Sequence, residues 1–318
     1  MQNYCTIKAG LAGILAVLLV VLLTTSGCTS TDGAGSGKEV MVAVTIPPLA
    51  EMAQEIGGDR VDIFVVMPPG SDPHTFEPGP ALVAKAAEAD IYVTLGTGLL
   101  PLEDVLVSRL KAMNPDLVVV DSSKGITNLM DHEDSTGNNN GSSQEEQGET
   151  EGRGMASPDP HVWLSLRNAE IMSENIRDAL IAADPAHEKE YRENCDLYTA
   201  RLKDLDRKIS DRFSRNDPGI ILVTHPAWEY FARDYDLKMV AIEKEGKEPT
   251  AKDLESLILL ARSNGIRVVF AEARESLRAA ETIARETGGT VIVIDPLAGD
   301  YLANMDRVSE AFSEAGAA

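Results

Sequence analysis

The chain has 318 residues, 43% of them hydrophobic, which is material for two cores of ordinary domain size rather than a single oversized one. Lys and Arg number 29 against 51 Asp and Glu, giving a formal net charge of -22 at pH 7. A surface of that sign repels duplex nucleic acid and favours cations as partners, while also serving ordinary solvation.

The first segment carries one cation, Lys8, then an apolar run over residues 9–23, then Thr24, Thr25, Ser26, Gly27 and Cys28. This pattern predicts a signal peptide over residues 1–28 with a lipobox-like end. Small residues before Cys28 let a signal peptidase cut there, and the freed thiol can carry a thioether-linked diacylglycerol as a lipid anchor. The position three before the cysteine, commonly Leu, is Thr25. A retained transmembrane anchor is the competing reading, because the apolar run is a little shorter than the ~20 residues that span a bilayer. Either way the rest of the chain lies outside the cytoplasm. Residues 29–37, rich in Ser, Thr and Gly, form a flexible tether.

From residue 38 short β-rich runs alternate with helical ones. Residues 40–46, 61–67, 91–95 and 117–120 read as strands, with helices over 48–56 and 79–89. Residues 131–152 break the pattern with Asn, Ser, Gly, Asp and Glu and predict a mobile acidic loop. Helical periodicity returns over 167–182 and 186–213, and the second stretch, laced with alternating charge, is too long for a crossover. A second alternation follows, with strands at 220–224, 238–242, 267–271 and 291–294 and helices at 251–264 and 277–287. The expected fold is therefore α/β: two lobes, each a mostly parallel four-stranded sheet flanked by helices, joined by a long connecting helix. The lobes are expected over 38–183, which includes the acidic loop, and 216–318, with the connecting helix over 184–215.

Cys5 falls in the removable leader, Cys28 is the lipid-anchor candidate, and Cys195 stands alone in a helical stretch as a small buried apolar residue. That set builds neither a disulfide framework nor a cysteine zinc site. The chemistry rests with the five histidines. In open α/β sheets ligands bind beyond the carboxyl ends of strands, and that is where His225 and Asp295 fall, directly after the strands at 220–224 and 291–294. His74 lies in the loop after 61–67, and His161 where the acidic loop rejoins the fold. Pro73 and Pro160 precede these two histidines and restrict the loops that carry them. Imidazole nitrogens with one carboxylate oxygen suit zinc, whereas manganese takes more oxygen donors. His187 is expected as an exposed helix residue, and His132 belongs to a solvated loop that could collect metal loosely. Glu272 and Glu77 are candidates to orient a ligating imidazole, although the identity favoured for both is an ordinary surface carboxylate. Trp163 and Trp228 read as wall or core residues.

The segments PPGSDPHTFEP, DPHVWLS, THPAWEYFARDY and VIDPLAG resemble, in order and spacing, the signature segments of the zinc/manganese substrate-binding proteins of ABC importers. The likeness runs from about residue 38 to near the C-terminus. It implies two similar lobes bridged by a long helix, a metal in the cleft between them, and metal ligands at His74, His161, His225 and Asp295. Manganese-type members commonly have Glu at the position of His225, which favours Zn(2+) here over Mn(2+) or Fe(2+). Two departures are visible: zinc members often carry a histidine-rich loop where this one is acidic with only His132, and Pro226 stands where an acidic residue is common.

The resulting expectation is an extracytoplasmic, monomeric solute-binding protein, not an enzyme. It would be anchored through lipid to the outer face of the cell membrane, or periplasmic if cleaved without lipid, and would deliver metal to the membrane permease of an ABC importer. Two rivals fit the same residues. A zinc-dependent hydrolase would leave Asp295 outside the shell and water in its place. A surface adhesion protein would hold a structural metal.

Overall fold

A computed structural model of the chain describes residues 39–130, 158–243, 247–272 and 277–316. The proposed leader, tether, Cys28, His132 and acidic loop 131–152 lie outside the described residues.

The first lobe opens with β1 (Val40–Val44), whose run of Val and Ala is buried almost throughout. Two prolines then start α1 (Pro47–Gly57) directly, since a missing amide is harmless in the first turn. After β2 (Val61–Val65), proline again opens α2 (Pro80–Ala86) and α3 (Pro101–Met113), which flank β3 (Ile91–Thr94) and lead to β4 (Val118–Asp121). Two helices follow, α4 (Leu166–Ala183) and the 28-residue α5 (Glu188–Arg215), about 42 Å long at the standard helical rise. The second lobe runs β5 (Ile220–Val223), α6 (Glu229–Tyr235), β6 (Lys238–Ala241), α7 (Ala251–Ser263), β7 (Val268–Glu272), α8 (Arg278–Thr287), β8 (Thr290–Ile294) and α9 (Tyr301–Ala315). A capping box between Thr250 and Asp253 begins α7, and Gly288 at φ 67° ends α8 in the left-handed conformation.

Both sheets are entirely parallel and wired alike, in the orders β2-β1-β3-β4 and β6-β5-β7-β8. The chain direction across each sheet therefore reverses beside its first strand, β1 or β5. In open parallel sheets of this order the loops leaving such strands diverge, which makes their carboxyl ends the place where a ligand is expected.

The sheets are two lobes of one body: from Glu39 onward the chain groups as a single compact unit. One continuous apolar core runs beneath both, from Val42 and Val93 in the first sheet to Val223 and Phe270 in the second. The buried stripe of α5 (Tyr191, Cys195, Tyr198, Leu202, Ile209 and Phe213) recurs every three to four residues or a multiple of that and faces this core. Smaller clusters cover the outer faces, around Tyr92 and Leu110 in one lobe and Leu222 and Ile283 in the other.

The tandem architecture is the expected one, and all eight expected strands form within two residues of their expected bounds. Three helices were not expected. Helix α6 is only seven residues long, too short to show a period; α3 buries only Glu103, Leu106 and Leu110; and α9 mixes Ser and Asn into its buried face. His187 differs from its expected solvent exposure. It closes a 3-10 turn (Pro185–His187), is half-buried, and its Nδ1 lies 2.6 Å from Asp184 Oδ2. Among the described residues no helix is long and apolar enough to cross a membrane.

Candidate metal centre

The tripeptide Asp-Pro-His occurs twice, at 72–74 and 159–161, and both copies build the same turn. The aspartate Oδ1 accepts the histidine backbone amide two residues on, at 2.8 Å for His74 and 2.9 Å for His161. Beyond that the copies diverge. Asp72 spends its other oxygen on the Thr75 hydroxyl at 2.8 Å. Asp159 turns the same Oδ1 onto the His161 ring, 2.7 Å from Nδ1.

His161 is 5% exposed and held from several sides. The Asp159 amide donates to the Leu129 carbonyl at 2.9 Å, and the Tyr230 hydroxyl from α6 joins the Leu129 amide at 2.9 Å to the Asp159 carbonyl at 3.2 Å. The following turn, Val162–Leu164, is fully buried, and the Trp163 ring lies 5.3 Å from that of His161. Trp163 and Trp228 are both core residues, as expected.

His225 leaves the end of β5 with extended backbone, its predecessor Thr224 tied to Phe270 of β7 through an amide-to-carbonyl bond of 2.9 Å. Glu243 sits just past β6. Its amide donates to the Thr224 carbonyl at 3.0 Å, and its Oε2 lies 3.3 Å from His225 Nδ1.

These loops bring three imidazoles together. Ring centroids of His74, His161 and His225 are 5.1–5.4 Å apart, and one donor nitrogen from each ring lies within 4.8 Å of the other two. His161 Nε2 and His225 Nε2 face each other at 3.4 Å. A tetrahedral zinc with bonds of about 2.05 Å sets its ligand nitrogens about 3.3 Å apart, which the His161–His225 approach matches. The carboxylates sharpen the point. With each Nδ1–H given to Asp159 or Glu243, both Nε2 atoms present lone pairs to one another, an arrangement that repels unless a cation lies between.

Two further observations fit a cation. Asp159 is 3% exposed, and its Oδ2 has no hydrogen-bond partner among the described residues, so an unsatisfied carboxylate oxygen is buried directly behind the His161 ring. The pKa of His74 is pushed down to about 4, first by loss of water among the loops and then by the two neighbouring imidazoles. At neutral pH its lone pair is therefore available rather than protonated.

Asp295 is not part of the three-residue group. It stands at the carboxyl end of β8, its Oδ1 accepting the Leu297 amide at 2.9 Å and its carbonyl the Asn304 side chain at 2.7 Å. Glu77 is exposed, and Glu272 is buried at the end of β7 with its amide on Thr224 Oγ1 at 3.2 Å. Sequence reasoning passed over Asp159 and Glu243, the carboxylates seen on imidazole nitrogens. The signals were present: the repeated Asp-Pro-His, and the position of Glu243 just beyond a strand, by the rule that singled out His225.

The family described as ZnuA, the periplasmic component A of a zinc-uptake complex, matches this chain over residues 42–315. The chain belongs to this family. Its members are solute-binding proteins, which sets aside the hydrolase reading. A relative from Bacillus subtilis named "High-affinity zinc uptake system protein ZnuA" is 30% identical, the match covering 92% of this chain and 89% of that one. The "Manganese ABC transporter substrate-binding lipoprotein PsaA" of Streptococcus mitis is 28% identical over 95% of this chain and 99% of its own. A solved structure titled "Crystal structure of ZnuA" superposes with a TM-score of 0.76 at 34% identity, covering 88% of this chain and all of that one. The protein is thus a metal-binding, extracytoplasmic substrate-binding protein of the ABC-importer type.

Proposed function

We propose that the protein captures zinc, in preference to manganese or iron, between its two lobes and delivers it to the membrane permease of an ABC importer. His74, His161 and His225 supply three neutral nitrogens, and Asp295 the fourth donor and a negative charge. The observation that carries this reading is the 3.4 Å approach of two Nε2 atoms whose opposite nitrogens rest on carboxylates. A nitrogen-rich shell suits zinc better than manganese. The name of the Bacillus subtilis relative supports the same metal, and that of the Streptococcus mitis relative the alternative.

The chain works as a monomer outside the cytoplasm, cleaved just before Cys28 and anchored by lipid on that cysteine, with the tether 29–37 giving reach. The lobes span 38–183 and 216–318 around the connecting segment 184–215, which α5 fills after a short 3-10 turn. Metal analysis of the purified chain and competitive titration against a chromophoric chelator test the metal. H225A is expected to weaken zinc binding by more than about 100-fold, beyond the 10–100-fold typical of outer groups. Wild-type zinc affinity in H225A, or tighter binding of manganese than zinc by the native chain, overturns the reading.

A further inference from the structure

Helix α9 starts without a cap of its own. Asp300, at the capping position, makes no side-chain hydrogen bond to the helix amides and pairs with Arg307 at 2.8 Å. The acceptor comes from the other lobe. Glu51, on α1, takes the Leu302 amide of α9 on its Oε1 at 3.1 Å, and on the same oxygen the Tyr198 hydroxyl of α5 at 3.1 Å. A carboxylate in that place answers amides that a helix leaves unpaired and complements the positive end of its dipole.

The segment so held is the one that carries Asp295. Asn304, one turn into α9, donates its side-chain amide to the Asp295 carbonyl at 2.7 Å. Trp163, two residues past His161, donates Nε1 to the Pro296 carbonyl at 2.8 Å and accepts the Tyr301 hydroxyl on its own carbonyl at 2.6 Å. Gly299 lies against the start of α1, where an added Cβ would stand 3.8 Å from Pro47 Cβ.

We infer that Glu51 is a positioning residue for metal capture: by capping α9 across the lobe boundary it holds the 295–300 segment, and with it Asp295, in register with the histidines of the first lobe. It touches no metal. The inference rests on the reading of Asp295 as a donor. A polar tie of this kind aligns two half-sites, where apolar packing alone tolerates small slips of one lobe against the other.

The test is a double-mutant cycle on zinc affinity and zinc release, using E51A, D295A and the pair. In the otherwise native chain E51A is expected to weaken zinc binding about tenfold, in line with the worth of a helix cap, and to speed release. In the D295A background it should add nothing. E51Q keeps an acceptor oxygen and should fall between, and it serves where E51A loses its fold. Amide exchange on metal-free protein should quicken at Leu302 and over residues 295–303 in E51A. A folded E51A with native zinc affinity overturns the inference, as does an equal loss in both backgrounds, or unchanged exchange at Leu302. A wild-type chain that binds no zinc sinks the metal reading and this one with it, whereas wild-type binding with an unaffected E51A sinks this one alone.

Discussion

Asp159 does three jobs with one carboxylate: it forms the turn that presents His161, it orients the ring, and it places negative charge behind the site. Replacing it with Asn keeps the shape but lets the ring take the wrong tautomer, so D159N should lose about 10–100-fold in zinc affinity by the same titration. A second buried acid, Glu103, has a different role. Its Oε1 accepts the Leu95 amide at 2.7 Å and the Thr45 hydroxyl, and its Oε2 accepts the Gly96 amide at 3.2 Å, pinning the turn after β3. Burial raises its pKa to about 7 from an ordinary 4.5, the hydrogen bonds offsetting only part of the shift. The folded chain therefore holds this proton more tightly than the unfolded one. That contribution is full below about pH 4.5 and is lost as pH climbs through about 7, amounting to about 3 kcal/mol. Urea unfolding between pH 5 and pH 8 should show a decline of that order in the native chain, and a much smaller one in E103Q.

Among the elements, the connection from α8 to β8 shows how closely backbone geometry constrains residue choice. Gly288 takes the left-handed conformation that ends the helix, and Gly289 follows where an added Cβ would fall 1.8 Å from the Arg267 carbonyl oxygen. That oxygen accepts the Thr290 amide at 2.7 Å as β8 joins β7, so neither partner can step aside without breaking the ladder. G289A should destabilise the chain by about 2–3 kcal/mol, measured as a shift in the urea midpoint at unchanged slope. Paired glycines after a helical run mark a helix end from the residues alone. The reason for the second one, a close crossing of backbone from a strand over twenty residues earlier, is not legible in that way, because nothing local marks which strand will lie alongside.

For the whole molecule, the shared core decides how the lobes can move. Tyr198, Leu202 and Ile209 of α5 pack in the same apolar mass as residues of both sheets, so a wide rotation would expose buried surface worth about 25 cal/mol per Å². Metal capture should then proceed with small local rearrangement. Small-angle scattering of metal-free and zinc-loaded protein should give the same radius of gyration within error, and the chelated protein should keep its helical circular dichroism. Zinc at a hundredfold excess over its Kd should nevertheless raise the unfolding free energy by about 3 kcal/mol, seen as a higher Tm. A loss of fold on chelation would point to a structural metal and favour the adhesion reading.

The amino-acid sequence alone determined the alternation of strands and helices, the tandem pair of sheets, the strand ends from which His225 and Asp295 were drawn, and the proline-restricted loops from which His74 and His161 were drawn. Those are local matters: periodicity, prolines at helix starts and polar residues after apolar runs are written within a few neighbours of each other. Which carboxylates stand behind the imidazoles, that His161 and His225 aim Nε2 at one point, and that Glu51 caps a helix of the opposite lobe were decided only by the tertiary structure. Each of these depends on contacts between segments separated by tens to hundreds of residues, or on the exact rotation of a side chain, and no periodic signal in the chain carries that information.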